Sequence, residues 1–511
     1  MRRVSLMLIA GAAAIASPVS AQKTADTKPA PGKAEDAAPV GFAAVDRAFA
    51  DFRAKTPVPG MAYGVIVDGK LAHARYFGEQ DEKGKAPVNA ETRFRIASMS
   101  KAFTALAILS LRDQGKLRLD DLAEQYVPEM RGWKYPTSDS PRIRVRDLLS
   151  HVGGFVTDDP WGDRQQPLPT ADFTAMLAAG VPWSRPPQTQ MEYSNFGYAL
   201  LGRIVTNVSG MPFDHYIQQT IMQPLGMTKS GYEFRDVPLA NRAIGYRWEN
   251  ERWVEEPTMA HGEFGAMGGV YTTVEDYSRW ISFLLSAWPP RDGPETGPVK
   301  RSSVRELSQG LNFVNARKRI GGGKDDECVN GSAYGMGMIV IRDCALELTL
   351  SHGGGFPGYG SYVLLAPERK AAIFGFTNRT YSGPAEAVWA SMLAIDKQAM
   401  IPPAKRVVTP VLTAFQTYAF NAYKAGSLAP LEGKLAMNFL MDRSRENWAA
   451  EFAKVQKQVG QCTSAEPLFA TGALTTAFRW NCERGHVNGQ IMLAPTHPPT
   501  LQALRLMPLP N

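Results

Sequence analysis

The sequence is poor in the features that mark several common functions. It has four cysteines and seven histidines in 511 residues. No Cys-x-x-Cys or His-Glu-x-x-His pattern appears, so a metal centre has no support. The formal charge is only +7, and no basic run alternates with aromatics, which argues against nucleic-acid binding. Past the N-terminus no apolar run reaches transmembrane length, so no stable membrane insertion is expected of the mature chain. No internal repeat is evident.

What is present begins with an export pattern. Arg2 and Arg3 precede the apolar stretch VSLMLIAGAAAIA, and SPVSAQ offers small residues for cleavage after Ala21. Residues 1–21 read as a signal peptide, and 22–41, rich in Ala, Pro, Lys and Asp, as a disordered linker. The expected location is periplasmic or secreted. Four cysteines fit that compartment, and the local pairings Cys328–Cys344 and Cys462–Cys482 are the expected disulfides.

The length calls for more than one domain. A mixed α/β domain is expected over 42–398, a linker over 399–410 around IPPAKRVVTP, and a small α+β domain over 411–511. In the first, MAYGVIVDGKLAHARYFG reads as a hairpin turning at Asp68-Gly69. KAFTALAILSLRDQGK, FGYALLGRIVTNVSG and a segment capped by Thr273 read as helices. Continuous late strands are expected over 334–343, 346–355 and 362–378. Strands at both ends with helices between them predict an antiparallel sheet closed by the terminal strands and flanked by helices. In the small domain helices precede strands, an order that weakly resembles cystatin-like or nuclear-transport-factor-like cones.

The chemistry centres on RIASMSKAFT. Ser98 and Lys101 are three apart, so a helix puts them on one face. A serine hydroxyl attacks only when a base takes its proton, and a lysine amine can be that base. Ser100 points elsewhere, so the spacing selects Ser98. The pattern alone also suits a helix cap, and SAQK at Ser20–Lys23 repeats it. Two further stretches add weight. Tyr193-Ser194-Asn195 is the one Tyr-x-Asn in the chain and lies at a turn before a helix. His352-Gly353-Gly354-Gly355 ends a strand-like run, where glycines let backbone approach a ligand.

In this order, with TRFRIASMSKAFTALAIL, IRVRDLLSHVGGF and GAMGGVYTTVEDYSRW around them, the three motifs resemble the serine acyl-enzyme family. That family comprises class C β-lactamases, D-Ala-D-Ala carboxypeptidases, D-aminopeptidases and related esterases. The resemblance covers roughly residues 44–398 and implies a β-lactamase/transpeptidase-like fold. It implies Ser98 as the acylated nucleophile, and Lys101 and Tyr193 sharing proton transfer, without deciding which is the base. It implies Asn195, His352, Gly354 and Gly355 as substrate-binding, with the Ser98 and Gly355 N–H groups as an oxyanion hole. His151 is left structural by the resemblance, and Asp325, Asp326 and Glu327 read as a solvated loop. No cofactor or metal is called for.

The third motif departs from the Lys-Thr-Gly of β-lactamases. A lysine supplies a fixed cation for a substrate carboxylate, whereas a histidine is mostly neutral near pH 7. The expected activity is an exported serine hydrolase acting on an amide or ester, D-amino-acid peptidase- or esterase-like, with a small-molecule or peptide substrate. The alternatives are a true class C-like β-lactamase and a weakly catalytic or inactive penicillin- or peptide-binding sensor.

Overall fold

The structure is a computed structural model and describes residues 41–404 and 408–511. The expected signal segment and the linker up to residue 40 lie outside the described residues. Among the described residues no helix is long and apolar enough to cross a membrane.

Helix α1 (Ala43–Lys55) leads into the hairpin β1 (Gly60–Val67) and β2 (Lys70–Asp81). Its turn falls at Asp68 and Gly69, both with positive φ, which this tight connection requires. Helices α2 (Lys101–Asp113), α3 (Asn195–Ser209) and α4 (Val274–Leu285) follow. Strands β3 (Asn312–Lys318), β4 (Val329–Tyr334), β5 (Ile339–Asp343), β6 (Glu347–Phe356), β7 (Tyr359–Ala366) and β8 (Ala371–Thr377) come next, then helix α5 (Ala385–Lys397). The sheet order is β2-β1-β8-β7-β6-β5-β4-β3, antiparallel throughout, with Ala86–Pro87 added beyond β2. The first and last strands of this unit therefore meet at β1–β8, as their positions in the sequence predict.

The pattern of β1 explains the layers. Met61, Tyr63 and Val65 pack with α1 and α5 on one face, while Ala62 and Ile66 join the large core with α2, α3 and α4 on the other. A strand buried on both faces reads as a continuous apolar run, which is what GMAYGVIV shows. Helix α2 is apolar all round because it runs through the middle of that core, with every residue from Lys101 to Leu111 buried.

Two expected strands are broken. The run 334–343 contains a turn, closed by the Gly335 N–H donating to the Met338 carbonyl at 2.9 Å. Gly337 has φ +74 and lies where a Cβ would come within 2.8 Å of the Lys101 carbonyl oxygen, so the chain turns there to clear α2. The run 362–378 is interrupted at Pro367–Lys370, with Lys370 in the left-handed region. Asp326 and Glu327 pair with Arg319 and Lys318.

Beyond residue 408 come helices α6 (Pro410–Ala425) and α7 (Arg445–Val459), then strands β9 (Cys462–Ala465), β10 (Thr475–Cys482), β11 (Gly485–Ala494) and β12 (Thr500–Pro510). They form an antiparallel sheet in chain order with a core of its own, including Phe415, Tyr423, Phe452 and Trp480. Cys328 is bonded to Cys344, and Cys462 to its cross-strand partner Cys482.

Candidate active site

A single tight turn, Ala97–Ser100, precedes α2 and carries Ser98. Ala97 has φ +48, a conformation that costs a residue with a Cβ on the order of 1–2 kcal/mol. The surroundings hold it there. Ser100 Oγ donates to the Ala97 carbonyl at 2.6 Å and accepts from the Val270 N–H at 3.0 Å. Ser100 thus ties the turn to the 267–270 segment. On the other side Ser361 Oγ donates to the Ile96 carbonyl at 2.8 Å.

Strand β6 lies directly against this turn. A Cβ on Gly354 would meet Ile96 O at 2.4 Å and Ser361 Oγ at 2.1 Å, so glycine is required for the approach. A Cβ on Gly353 would find only ordinary contact with Tyr362, and one on Gly355 would meet the Tyr381 ring at 2.6 Å.

Lys101 is fully buried one helical turn after Ser98. Its Nζ lies 3.0 Å from Ser98 Oγ, 2.7 Å from Asn195 Oδ1 and 2.9 Å from the Met267 carbonyl oxygen. It also sits 4.8 Å from the Tyr193 ring centroid and 5.4 Å from that of Tyr198. Burial lowers its pKa, attraction from Asp159, Asp163 and Asp158 opposes this, and the result is a pKa of about 8.

Tyr193 and Asn195 reach Lys101 from the start of α3. Ser194 caps that helix, its Oγ accepting from the Gly197 N–H at 3.2 Å. Asp158 accepts from the N–H groups of Asn195 (2.6 Å) and Phe196 (2.7 Å), two donors with no partner inside the helix. Burial pushes the pKa of the Tyr193 hydroxyl well above the ordinary phenol value, and its interaction with Ser98 opposes this.

His352 lies opposite Tyr193, with ring centroids 6.2 Å apart. Its Nε2 is 3.0 Å from the Tyr334 hydroxyl and its Nδ1 2.6 Å from the Gly353 carbonyl oxygen. Burial, reinforced by repulsion from Lys101, pulls its pKa down to about 3, so the ring is neutral. His151 lies behind Tyr193, its ring centroid 4.5 Å from that of Tyr193 and 4.4 Å from that of Tyr334. Its Nδ1 accepts from the Ser194 N–H at 3.2 Å, and its buried Nε2 has no partner among the described residues. Burial holds its pKa well below the usual imidazole range.

The structure therefore brings Ser98, Lys101, Tyr193, Asn195, His352 and Gly354 together, with Gly355 beside Tyr381. Sequence reasoning missed the segment 158–163. Asp159 Oδ1 accepts from Asn195 Nδ2 at 2.5 Å. Asp163 is buried and accepts from the Tyr381 hydroxyl at 2.9 Å, and burial, then repulsion from Asp159, raises its pKa to about 7. The available signal was acidic residues beside Pro160 and Gly162 in a loop, DDPWGD, a place where chemistry often sits.

Comparison with known proteins gives concordant findings. The family model described as Beta-lactamase matches residues 45–397. Protein flp of Staphylococcus aureus is 27% identical over 332 residues, which cover 63% of this chain and 60% of that protein. The chain thus matches well under two thirds of the length of Protein flp. The Beta-lactamase of Escherichia coli strain K12 is 26% identical over 357 residues, 66% of this chain and 89% of that protein. The solved structure of the octameric penicillin-binding protein homologue from Pyrococcus abyssi superposes with a TM-score of 0.56 at 20% identity. That match covers 90% of this chain and 98% of the other, so the likeness of fold runs past residue 397 into the C-terminal unit.

Proposed function

The chain belongs to the Beta-lactamase family, and from that premise we propose that it is an exported serine hydrolase that cleaves an amide or ester through an acyl-Ser98 intermediate. The observation that carries this is the position of Lys101 Nζ, 3.0 Å from Ser98 Oγ, with a pKa near 8. A base with that pKa is partly neutral at working pH, as general-base catalysis needs.

Lys101 takes the proton of Ser98 Oγ as that oxygen attacks the substrate carbonyl. The N–H groups of Ser98 and Gly355 receive the oxyanion, a contribution on the order of 3 kcal/mol per donor. Tyr193 passes a proton to the leaving group as the tetrahedral intermediate collapses, and water then releases the acyl group by the reverse route. The raised pKa of Tyr193 supports a phenol that shuttles a proton and disfavours a standing phenolate as the base.

Neutral His352 argues for the substrate class. It offers no cation to a carboxylate, and both of its nitrogens are engaged within the protein. That favours short esters and D-aminoacyl amides or peptides over carboxylate-bearing β-lactams. The two disulfides support an oxidising compartment.

The test is turnover of p-nitrophenyl esters, D-aminoacyl amides and a chromogenic cephalosporin by wild type and Ser98→Ala. Turnover of esters or amides that disappears in Ser98→Ala supports the reading. Equal, background rates for both proteins on every substrate would favour a sensor. A clear preference for the cephalosporin would overturn the argument from His352.

A further inference from the structure

A neutral amine has two hydrogens and one lone pair. Around Lys101 Nζ, the Met267 carbonyl at 2.9 Å and Asn195 Oδ1 at 2.7 Å can only accept. Once both hydrogens go to those oxygens, the lone pair is left for Ser98 Oγ at 3.0 Å. The direction of the Ser98–Lys101 hydrogen bond therefore depends on which way the Asn195 amide faces. Turned over, the amide would present its NH₂ group to the amine and occupy the lone pair. Lys101 would then donate to Ser98, which is the wrong direction for a base.

The two orientations of an asparagine amide have nearly the same shape, so packing alone does not choose between them. The backbone of Asn195 is held by Asp158, and the side chain is closely confined, since a Cβ on Gly162 would meet Asn195 Cβ at 2.9 Å. Neither contact distinguishes oxygen from nitrogen. Asp159 does: its Oδ1 faces Asn195 Nδ2, and a carboxylate accepts only.

We propose that Asp159 is a positioning residue that fixes the Asn195 amide and thereby sets the direction of the Ser98–Lys101 hydrogen bond. This rests on the reading of Ser98 as nucleophile and Lys101 as base. Asp159 is exposed, so replacing it removes no packing from the core. Its charge is also the largest attraction on Lys101, ahead of Asp163 and Asp158. The other groups facing Lys101 are the Tyr193 and Tyr198 rings and the neutral His151 and His352. Loss of the Asp159 charge lowers the Lys101 pKa, so the acid limb of the rate profile moves to lower pH.

The experiment is a double-mutant cycle on the full chain, with p-nitrophenyl acetate as probe. It measures kcat/KM from pH 5 to 10 for wild type, Asp159→Asn, Asp159→Ala, Asn195→Ala and Asp159→Asn/Asn195→Ala. The expected plateau loss is about 10-fold in both Asp159 variants, with the acid limb shifted down, and less than about 2-fold when Asn195 is already alanine. Thermal melting of each variant separates loss of fold from loss of function, and Asp159→Ala stands in if Asp159→Asn fails to fold. A wild-type plateau in both Asp159 variants overturns the proposal, as does a full, independent loss on top of Asn195→Ala. Ser98→Ala and Lys101→Met in the same assay keep two failures apart. If either retains the wild-type rate, the reading of the site has failed. If both are inactive while the Asp159 variants match wild type, this inference alone has failed.

Discussion

Lys101 and His352 both lie beside Tyr193 and are both buried bases, yet they end in opposite conditions. Burial lowers the pKa of each. Lys101 has three carboxylates nearby and comes to rest near 8, within reach of the working range. His352 has Lys101 for a neighbour, whose charge acts in the same direction as burial, and comes to rest near 3. The same desolvation makes one group a proton acceptor that can switch and the other a fixed neutral wall. Most of the gap is the ordinary difference between an amine and an imidazole, 10.5 against 6.5, and the nearest charges, attractive at Lys101 and repulsive at His352, add the remainder.

The largest effect that tests this contrast is on the lysine side. Lys101→Met removes the proposed base and is expected to lower kcat/KM by roughly 10³-fold or more. In the wild type the neutral amine is the active form, so kcat/KM rises with pH through about 8 and falls about tenfold per unit below it. A limb centred two units lower would assign the proton transfer to another group. Next in size is Tyr193→Phe, which removes the shuttling hydroxyl beside Ser98 and is expected to cost roughly 10²-fold in turnover. An unchanged rate would remove Tyr193 from the mechanism. The smallest effect falls on the histidine side. His352→Lys puts a cation where the wall was neutral, and a charged hydrogen bond to a carboxylate predicts a gain of about tenfold in cephalosporin over ester turnover. The ratio of the two kcat/KM values measures it, and an unmoved ratio would detach His352 from substrate selection.

Much of this was legible because the chain is well punctuated. Asp68-Gly69, Thr273 and Gly210 mark a turn, an N-cap and a helix end, and the structure uses each that way. The glycines in YGMGM read locally as part of a strand, because nothing in that stretch says that α2 passes beneath Gly337. The Ser98–Lys101 pair follows from spacing within one helix turn, so sequence carries it. Asp158 and Asp159 do not follow, since they meet Asn195 across 36 and more residues through a loop with no period. The left-handed turn at Ala97 is likewise silent, because alanine gives no sign of positive φ. His151 lies against Tyr193, and its Nδ1 is turned to the backbone of Ser194.

The central claim is that Ser98, with Lys101 as its base, becomes acylated. The direct measurement is mass spectrometry of the protein quenched during turnover of a p-nitrophenyl ester, followed by peptide mapping. The account predicts one acyl group on the peptide bearing Ser98, absent in Ser98→Ala and formed far more slowly in Lys101→Met. An adduct on Ser100 or elsewhere, or one on Ser98 that forms equally fast without Lys101, would contradict it.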